Sequence, residues 1–171
     1  MTRKNVEGMM GRLRTRHGIA LRVIEALPEN KLHERVIPNM RTPAELVVHL
    51  YGMSIRELVE GVQRGEIRNV DEVAIAKGIR SKADLLKYAR DSFDAAGKAA
   101  TAITDAQITG EVKTPWGSNP PGSVMLDAVN DEFYHHRGQL YAYTRALGVT
   151  PPEVYDFENN AVEFQPAATT A

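Results

Sequence analysis

Residues 123–148 read SVMLDAVNDEFYHHRGQLYAYTRALG, the pattern of one long amphipathic helix. Positions spaced by three and four residues share one stripe on such a helix. That stripe holds Leu126, Val129, Phe133, His136, Leu140, Tyr143 and Leu147. We predict a helix from about Ser123 to Leu147, because Gly148 stands in the usual C-terminal position and prolines follow it at 151 and 152.

Three other segments show the same spacing between start and stop signals. Residues 6–27 carry an apolar stripe that Pro28 closes. The residues at 42–45, Thr-Pro-Ala-Glu, form a capping box that starts a second helix, which continues to about Gly65. A related signal at Ser81 starts a third helix, whose stripe runs to Ile103.

Four amphipathic helices must bury their stripes against one another. The connections 66–80 and 104–122 are long, so we predict an all-α protein, a four-helix bundle with long crossover connections. Only residues 111–114 suggest a short strand. We assign residues 1–157 to the bundle domain and 158–171 to a C-terminal tail whose final Pro-Ala-Ala-Thr-Thr-Ala is expected to fray.

Composition excludes several classes of function. The net charge is -1, so no basic surface for nucleic acid or an anionic membrane is expected. The chain has no cysteine, which removes disulfides, thiolate nucleophiles and zinc–thiolate sites. No apolar run suggests a membrane span or a signal sequence. We expect a cytoplasmic protein with neither a nucleic-acid nor a membrane partner.

His136 occupies the buried stripe of the last helix, where an apolar residue is usual. An imidazole buried without a partner costs on the order of 1–3 kcal/mol, so another group must satisfy it. Glu132 lies four residues earlier and projects to the same side of the helix. A carboxylate and an imidazole in this relation form half of a metal site of the kind that helical bundles build.

A further ligand has to come from another helix. His49 is the first candidate because it interrupts the apolar run 46–51, and His17 on the stripe of helix one is the second. His33 is expected to be exposed, and His135 to point away from the site. These residues also allow a core histidine hydrogen-bonded to a carbonyl or an acid, so the metal interpretation stays open here.

Some neighbouring residues have two interpretations. Tyr51 and Tyr143 supply phenol donors near the site, or pack with the hydroxyl toward water. Arg137 and Gln139 lie off the ligand face and are expected to be structural or to form a subunit contact. Gly138 is expected to allow close helix packing.

Trp116 lies in the irregular connection before the last helix. It is expected to pack on the end of the bundle as a lid rather than to stack on a ligand.

Several motifs resemble the DinB-like (YfiT-like) family of metalloenzymes. They are EFYHHRGQL at 132–140, RALGVTPP at 145–152, TPWG at 114–117 and LVVH at 46–49. The resemblance extends from helix one to about Phe157, and the His-Arg-Gly-Gln element with its downstream Gly and Pro-Pro is the most specific part.

The resemblance implies a site for one divalent metal ion (zinc, nickel, iron or manganese). Family members usually bind it through three histidines, one from helix two and two from helix four. Carried over by position, these fall on His49, Glu132 and His136. Glu132 departs from the pattern, because the family more commonly has histidine there. The departure gives either a two-histidine, one-carboxylate site or a weakened or lost one.

The resemblance also implies a function. It predicts a metal-dependent enzyme of the thiol-transferase or hydrolase type, acting on a small molecule such as a low-molecular-weight thiol. The alternative is a non-catalytic helical module for binding or stress response, with a structural or vestigial metal site. A homodimer is expected, because relatives commonly pair and helix two has more apolar sides than one core uses.

Overall fold

The structure is a computed structural model that describes residues 1–166. Its first helix, α1, is Arg3–Ala26. The second, α2, runs through three consecutive parts, Pro43–Val48, His49–Glu57 and Leu58–Arg64. The others are α3 (Glu72–Gly78), α4 (Lys82–Ala102), α5 (Asp105–Thr109) and α6 (Gly122–Ala146). Short 3₁₀ turns occur at Glu29–Lys31 and Val162–Phe164.

The predicted helix boundaries have clear chemical causes. Thr42 accepts a hydrogen bond from the Glu45 amide, and Glu45 reaches back to the Thr42 amide. Ser81 caps α4 by accepting from the Asp84 amide. Gly148 has a φ of 76°, a left-handed conformation that ends α6 and suits glycine. The helix ends predicted from these residues are confirmed.

Each of the four long helices packs against two of the others. Helix α1 packs against α4 and α6, and α2 packs against the same two. Their shared faces hold fully buried apolar side chains, among them Leu13, Ile24, Leu85, Leu126 and Phe133. The all-α class is confirmed for residues 1–166. None of the helices in this range combines the length and apolar character of a membrane span.

The predicted short strand at 111–114 takes another form. Glu111 pairs with Pro121, and Lys113 pairs with Glu66, as isolated bridges. The amides of Ile67 and Val112 donate to Lys113 and Pro120 carbonyls over 2.8 and 2.9 Å. These bonds tie the connection before α6 to the end of α2.

The middle part of α2, His49–Glu57, is a nine-residue π-helix. Its hydrogen bonds join residue i to i+5, so each turn holds more residues than an α-turn. Residues nine apart lie on opposite sides of an α-helix, at about 100° per residue. The wider π-turns instead bring Leu58 to the side of the helix that carries His49, and both face the same pocket.

Two expectations about packing need correction. The apolar residues of helix two are covered within the chain, because Leu46, Val47 and Leu50 are fully buried and α3 packs against the start of α2. The homodimer therefore stays a prediction without that argument. Gly138 is exposed, and an added Cβ there would meet no atom within 4 Å. The close-packing interpretation of Gly138 is wrong.

The start of the predicted tail folds back onto α1. Phe164 is buried, and Asn160 donates to the Thr15 carbonyl over 2.8 Å. Gly18 makes this approach possible, since a Cβ there would overlap Phe164 and Asn160. The fraying expected at the very end concerns residues 167–171, which lie outside the described range.

His17 is part of the same packing. Its ring stacks on Phe93 with centroids 4.3 Å apart and an interplanar angle of 7°. Its Nδ1 shares a 2.8 Å hydrogen bond with the Tyr51 hydroxyl, and Phe164 contacts it edge-on. His17 is thus a core residue with a side-chain partner. Burial, assisted by the Arg90 charge, lowers the pKa of His17 to about 3.

This histidine makes the fold sensitive to acid. The unfolded chain takes up a proton near the ordinary pKa of 6.5, whereas the folded chain resists it until about 3. Stability is therefore full above pH 6.5 and falls as the pH drops, by up to about 1.4 kcal/mol per pH unit. The double variant His17→Leu, Tyr51→Phe removes both polar partners and should show a flatter dependence. Urea unfolding between pH 7 and 5 measures the free energy of unfolding, with His33→Leu as control. If this free energy fell equally with pH in the wild type and the double variant, the role of His17 would be refuted.

Candidate metal centre

Three predicted ligands meet between α2 and α6. One ligand atom from each of His49, Glu132 and His136 lies within 4.8 Å of the other two. His49 opens the π-helical part of α2, and the other two stand one turn apart on α6. The two imidazole rings are perpendicular, with centroids 4.6 Å apart. The structure brings together the residues that the sequence singled out, and their role as ligands stays a prediction.

Hydrogen bonding orients the His136 ring. Its Nδ1 lies 2.8 Å from Oε1 of Gln139 and donates its proton there. The Gln139 amide nitrogen lies 3.2 Å from His135 Nε2. On the other side of the ring, His136 Nε2 lies within hydrogen-bonding distance of Glu132 Oε2, at 2.9 Å.

The environment favours the neutral form of His136. Burial lowers the pKa of His136, and the nearby His49 lowers it further, which outweighs the opposing effect of the hydrogen bonds that the ring makes to Gln139 and Glu132. A neutral imidazole is the form that binds metal ions.

His49 is oriented by a residue from α3. Its Nδ1 donates to Glu72 Oε1 over 2.7 Å, the shorter of its two contacts. The other is with Arg41 Nη2 at 3.3 Å, and the same nitrogen lies 3.8 Å from the second Glu72 oxygen. When Nδ1 carries the proton, Nε2 is the His49 nitrogen that is free to bind a metal ion. A carboxylate that holds the far nitrogen of a histidine is typical of metal-binding histidines.

This donor set suits a divalent cation. One nitrogen from each of two imidazoles and one carboxylate oxygen converge, and the only hydroxyl donor on Glu132 Oε2 in the described chain is Ser54, at 3.2 Å. A cation between these atoms would be attracted to all three. Two nitrogen ligands and one oxygen ligand match zinc, nickel, iron or manganese.

Comparison with known proteins shows the family of the chain and supports its fold. The sequence matches the DinB family model over residues 1–167. The chain belongs to the DinB family. A crystal structure of a DinB-like protein from Bacillus subtilis, YjoA, aligns with a TM-score of 0.69 and 18% identity. The alignment covers 86% of this chain and 96% of the other, and it supports the fold. No curated protein gives a significant match.

The other candidate residues of this DinB protein lie elsewhere. His17 is in the aromatic core, as described above. His33 is exposed as expected, with its Nε2 donating to the Ile79 carbonyl over 2.9 Å. His135 is exposed as well. The Tyr51 hydroxyl is bonded to His17, and Tyr143 donates to the Arg41 carbonyl over 2.6 Å. Neither phenol points to water or to the centre.

Two residues beside His136 differ in role. Arg137 is buried with its guanidinium over the Phe133 and Tyr134 rings, 5.9 and 5.2 Å from their centroids, so it is structural as predicted. Gln139 was expected to be structural or at a subunit contact, and its side chain is hydrogen-bonded directly to His136.

Sequence reasoning missed Glu72 and Ser54. Glu72 lies in the connection 66–80, where only Asp71 signals a helix, by capping the Ala74 amide over 3.0 Å. Ser54 is five residues after His49, which an α-helical period places on another face. No local pattern pairs either residue with the centre.

A pocket of about 330 Å³ opens beside the centre. We call it the Trp116 pocket. Its polar lining is His49, Ser54 and Glu132, and its apolar lining is Met53, Leu58, Trp116, Met125 and Ala128. Trp116 lines this pocket and is 55% exposed, and its role as a lid stays a prediction.

The contact of Glu72 with His49 gives a testable consequence. Glu72→Gln replaces a charged acceptor by a neutral amide and weakens the hydrogen bond that His49 Nδ1–H donates. Loss of such a partner typically lowers metal affinity about 10–100-fold. Calorimetric titration with zinc should show this loss with the stoichiometry unchanged. Glu66→Gln, an exposed carboxylate paired with Arg68, is the matched control. Equal zinc affinity in the two variants would contradict this role.

Proposed function

We propose that this DinB-family chain binds one divalent metal ion through His49, Glu132 and His136 and acts as a metal-dependent enzyme on a small molecule. The observation that carries the proposal is the convergence of two imidazole nitrogens and one carboxylate oxygen next to a pocket. We also propose that the four long helices form a four-helix bundle, since each packs against two of the others.

The residues around the centre have distinct tasks. Glu72 and Gln139 hold the Nδ1 protons of the two histidines, which keeps each Nε2 directed at the ion site. Ser54 donates to Glu132 and limits its rotation. A divalent ion bound there supplies Lewis acidity toward a thiol or a water molecule. Three protein ligands leave coordination positions free, as catalytic sites do.

The reaction we propose is thiol transfer or hydrolysis. The chain has no cysteine, so a thiol nucleophile has to come from a second small molecule. The Trp116 pocket, at about 330 Å³, lies at the lower end of the roughly 300–1,000 Å³ range of ligand sites. A low-molecular-weight thiol and a small acceptor fit that scale. The cytoplasmic location and the homodimer remain predictions.

Metal content tests the first part of the proposal. Wild-type protein purified without a histidine tag should contain about one divalent ion per chain. His136→Ala removes a buried donor and should lose the ion, whereas His33→Ala removes an exposed histidine and should keep it. Elemental analysis of the three proteins measures this. Equal metal content in both variants would show that His136 is no ligand.

Activity assays decide between the enzyme and the non-catalytic alternative. A catalytic centre predicts thiol adducts or hydrolysis that depend on the bound ion when the loaded protein is given several cellular thiols. A structural site instead predicts a marked fall in melting temperature on removal of the ion, with no turnover.

A further inference from the structure

The lining of the Trp116 pocket restricts the charge of its ligand. Its polar groups, His49, Ser54 and Glu132, all belong to the metal centre. Away from them the wall consists of apolar side chains, and no lysine or arginine among residues 1–166 lines it. A charged group placed against this wall would lose hydration without gaining a partner. The lining therefore suits an uncharged ligand.

Trp116 is held in place by its turn. Thr114 to Gly117 form a turn closed by the Gly117 amide, which donates to the Thr114 carbonyl over 3.2 Å. Gly117 has a φ of 86°, and Pro115 fixes the backbone before the tryptophan. The Thr114 hydroxyl also donates to the Ser118 carbonyl over 2.5 Å. The turn thus presents a half-exposed indole face at the pocket without burying it.

The π-helical part of α2, with Leu58 directly after it, supplies another part of the lining. It aligns Met53 and Leu58 with His49, so apolar surface continues directly from the ligand histidine. Met125 from α6 completes this surface. Methionine side chains adapt to irregular shapes and contact aromatic rings favourably. The indole and these apolar side chains line one pocket, which favours a flat or aliphatic group as its ligand.

We propose that the Trp116 pocket binds the uncharged, apolar body of the substrate between Trp116 and the Met53–Leu58 wall, with the reacting atom directed at the metal centre. This inference rests on the proposed function and adds a substrate class to it. Substrates with an anionic group far from the reacting atom bind more weakly, because that group would lie against apolar side chains.

The chain has a single tryptophan, so its fluorescence reports on this pocket alone. The probes are phenylmethanethiol and 4-(mercaptomethyl)benzoate, which share a body and a thiol and differ by one distal carboxylate. Zinc-loaded protein freed of excess zinc is titrated with each. We expect saturable quenching by the neutral thiol, with at least tenfold tighter binding than by the carboxylate.

A pair of matched variants locates the binding. Ala128→Leu adds a larger side chain to the pocket and should weaken binding of phenylmethanethiol at least tenfold while one zinc per chain is retained. Ala142→Leu makes the same change at an exposed position of α6 and should have no effect. If the protein binds zinc but binds both thiols with equal affinity, the pocket inference alone is overturned. The same follows if Ala128→Leu has no effect. A wild-type protein that binds no zinc overturns the proposed function and this inference with it.

Discussion

The contact between His136 Nε2 and Glu132 Oε2 is the constraint on which the centre depends. The two atoms lie 2.9 Å apart on one face of α6, and the other ring nitrogen is hydrogen-bonded to Oε1 of Gln139. Burial disfavours a second proton on the ring by lowering the pKa of His136. A bound cation would stabilise this arrangement, because it is attracted to both atoms and leaves the imidazole neutral. His49 reaches the same point from α2.

The fold is adapted to this contact in several places. The π-helical segment begins at His49 and brings Ser54 and the pocket wall to the same side as the histidine. The short helix α3 packs against the start of α2 and supplies Glu72. Gly52 allows the π-segment to pass Tyr88, since a Cβ would overlap the tyrosine hydroxyl. Helical irregularities of this kind are frequent at functional sites. The departure from the regular helix thus occurs at the candidate metal centre.

Sequence reasoning predicted the features that are set by residues close together in the chain. Caps at Thr42 and Ser81 and the glycine at 148 mark helix ends because their effects act within a few residues. Glu132 and His136 share a helix face by simple periodicity. The residues that were missed or misjudged depend on contacts distant in sequence. Glu72 meets His49 across 23 positions, and His17 finds its partner Tyr51 across 34. The π-segment follows from no hydrophobic period, and Trp116 takes its position from the fold around its turn.

X-ray absorption spectroscopy of the zinc-loaded protein tests the central claim most directly, because it reports the atoms bound to the ion. The account predicts two imidazole nitrogens and carboxylate oxygen at about 2.0–2.2 Å. Glu132→His should raise the imidazole multiple scattering from two rings to three. A wild-type spectrum without imidazole scattering, or one that Glu132→His leaves unchanged, would contradict the assignment of His49, Glu132 and His136 as the ligands.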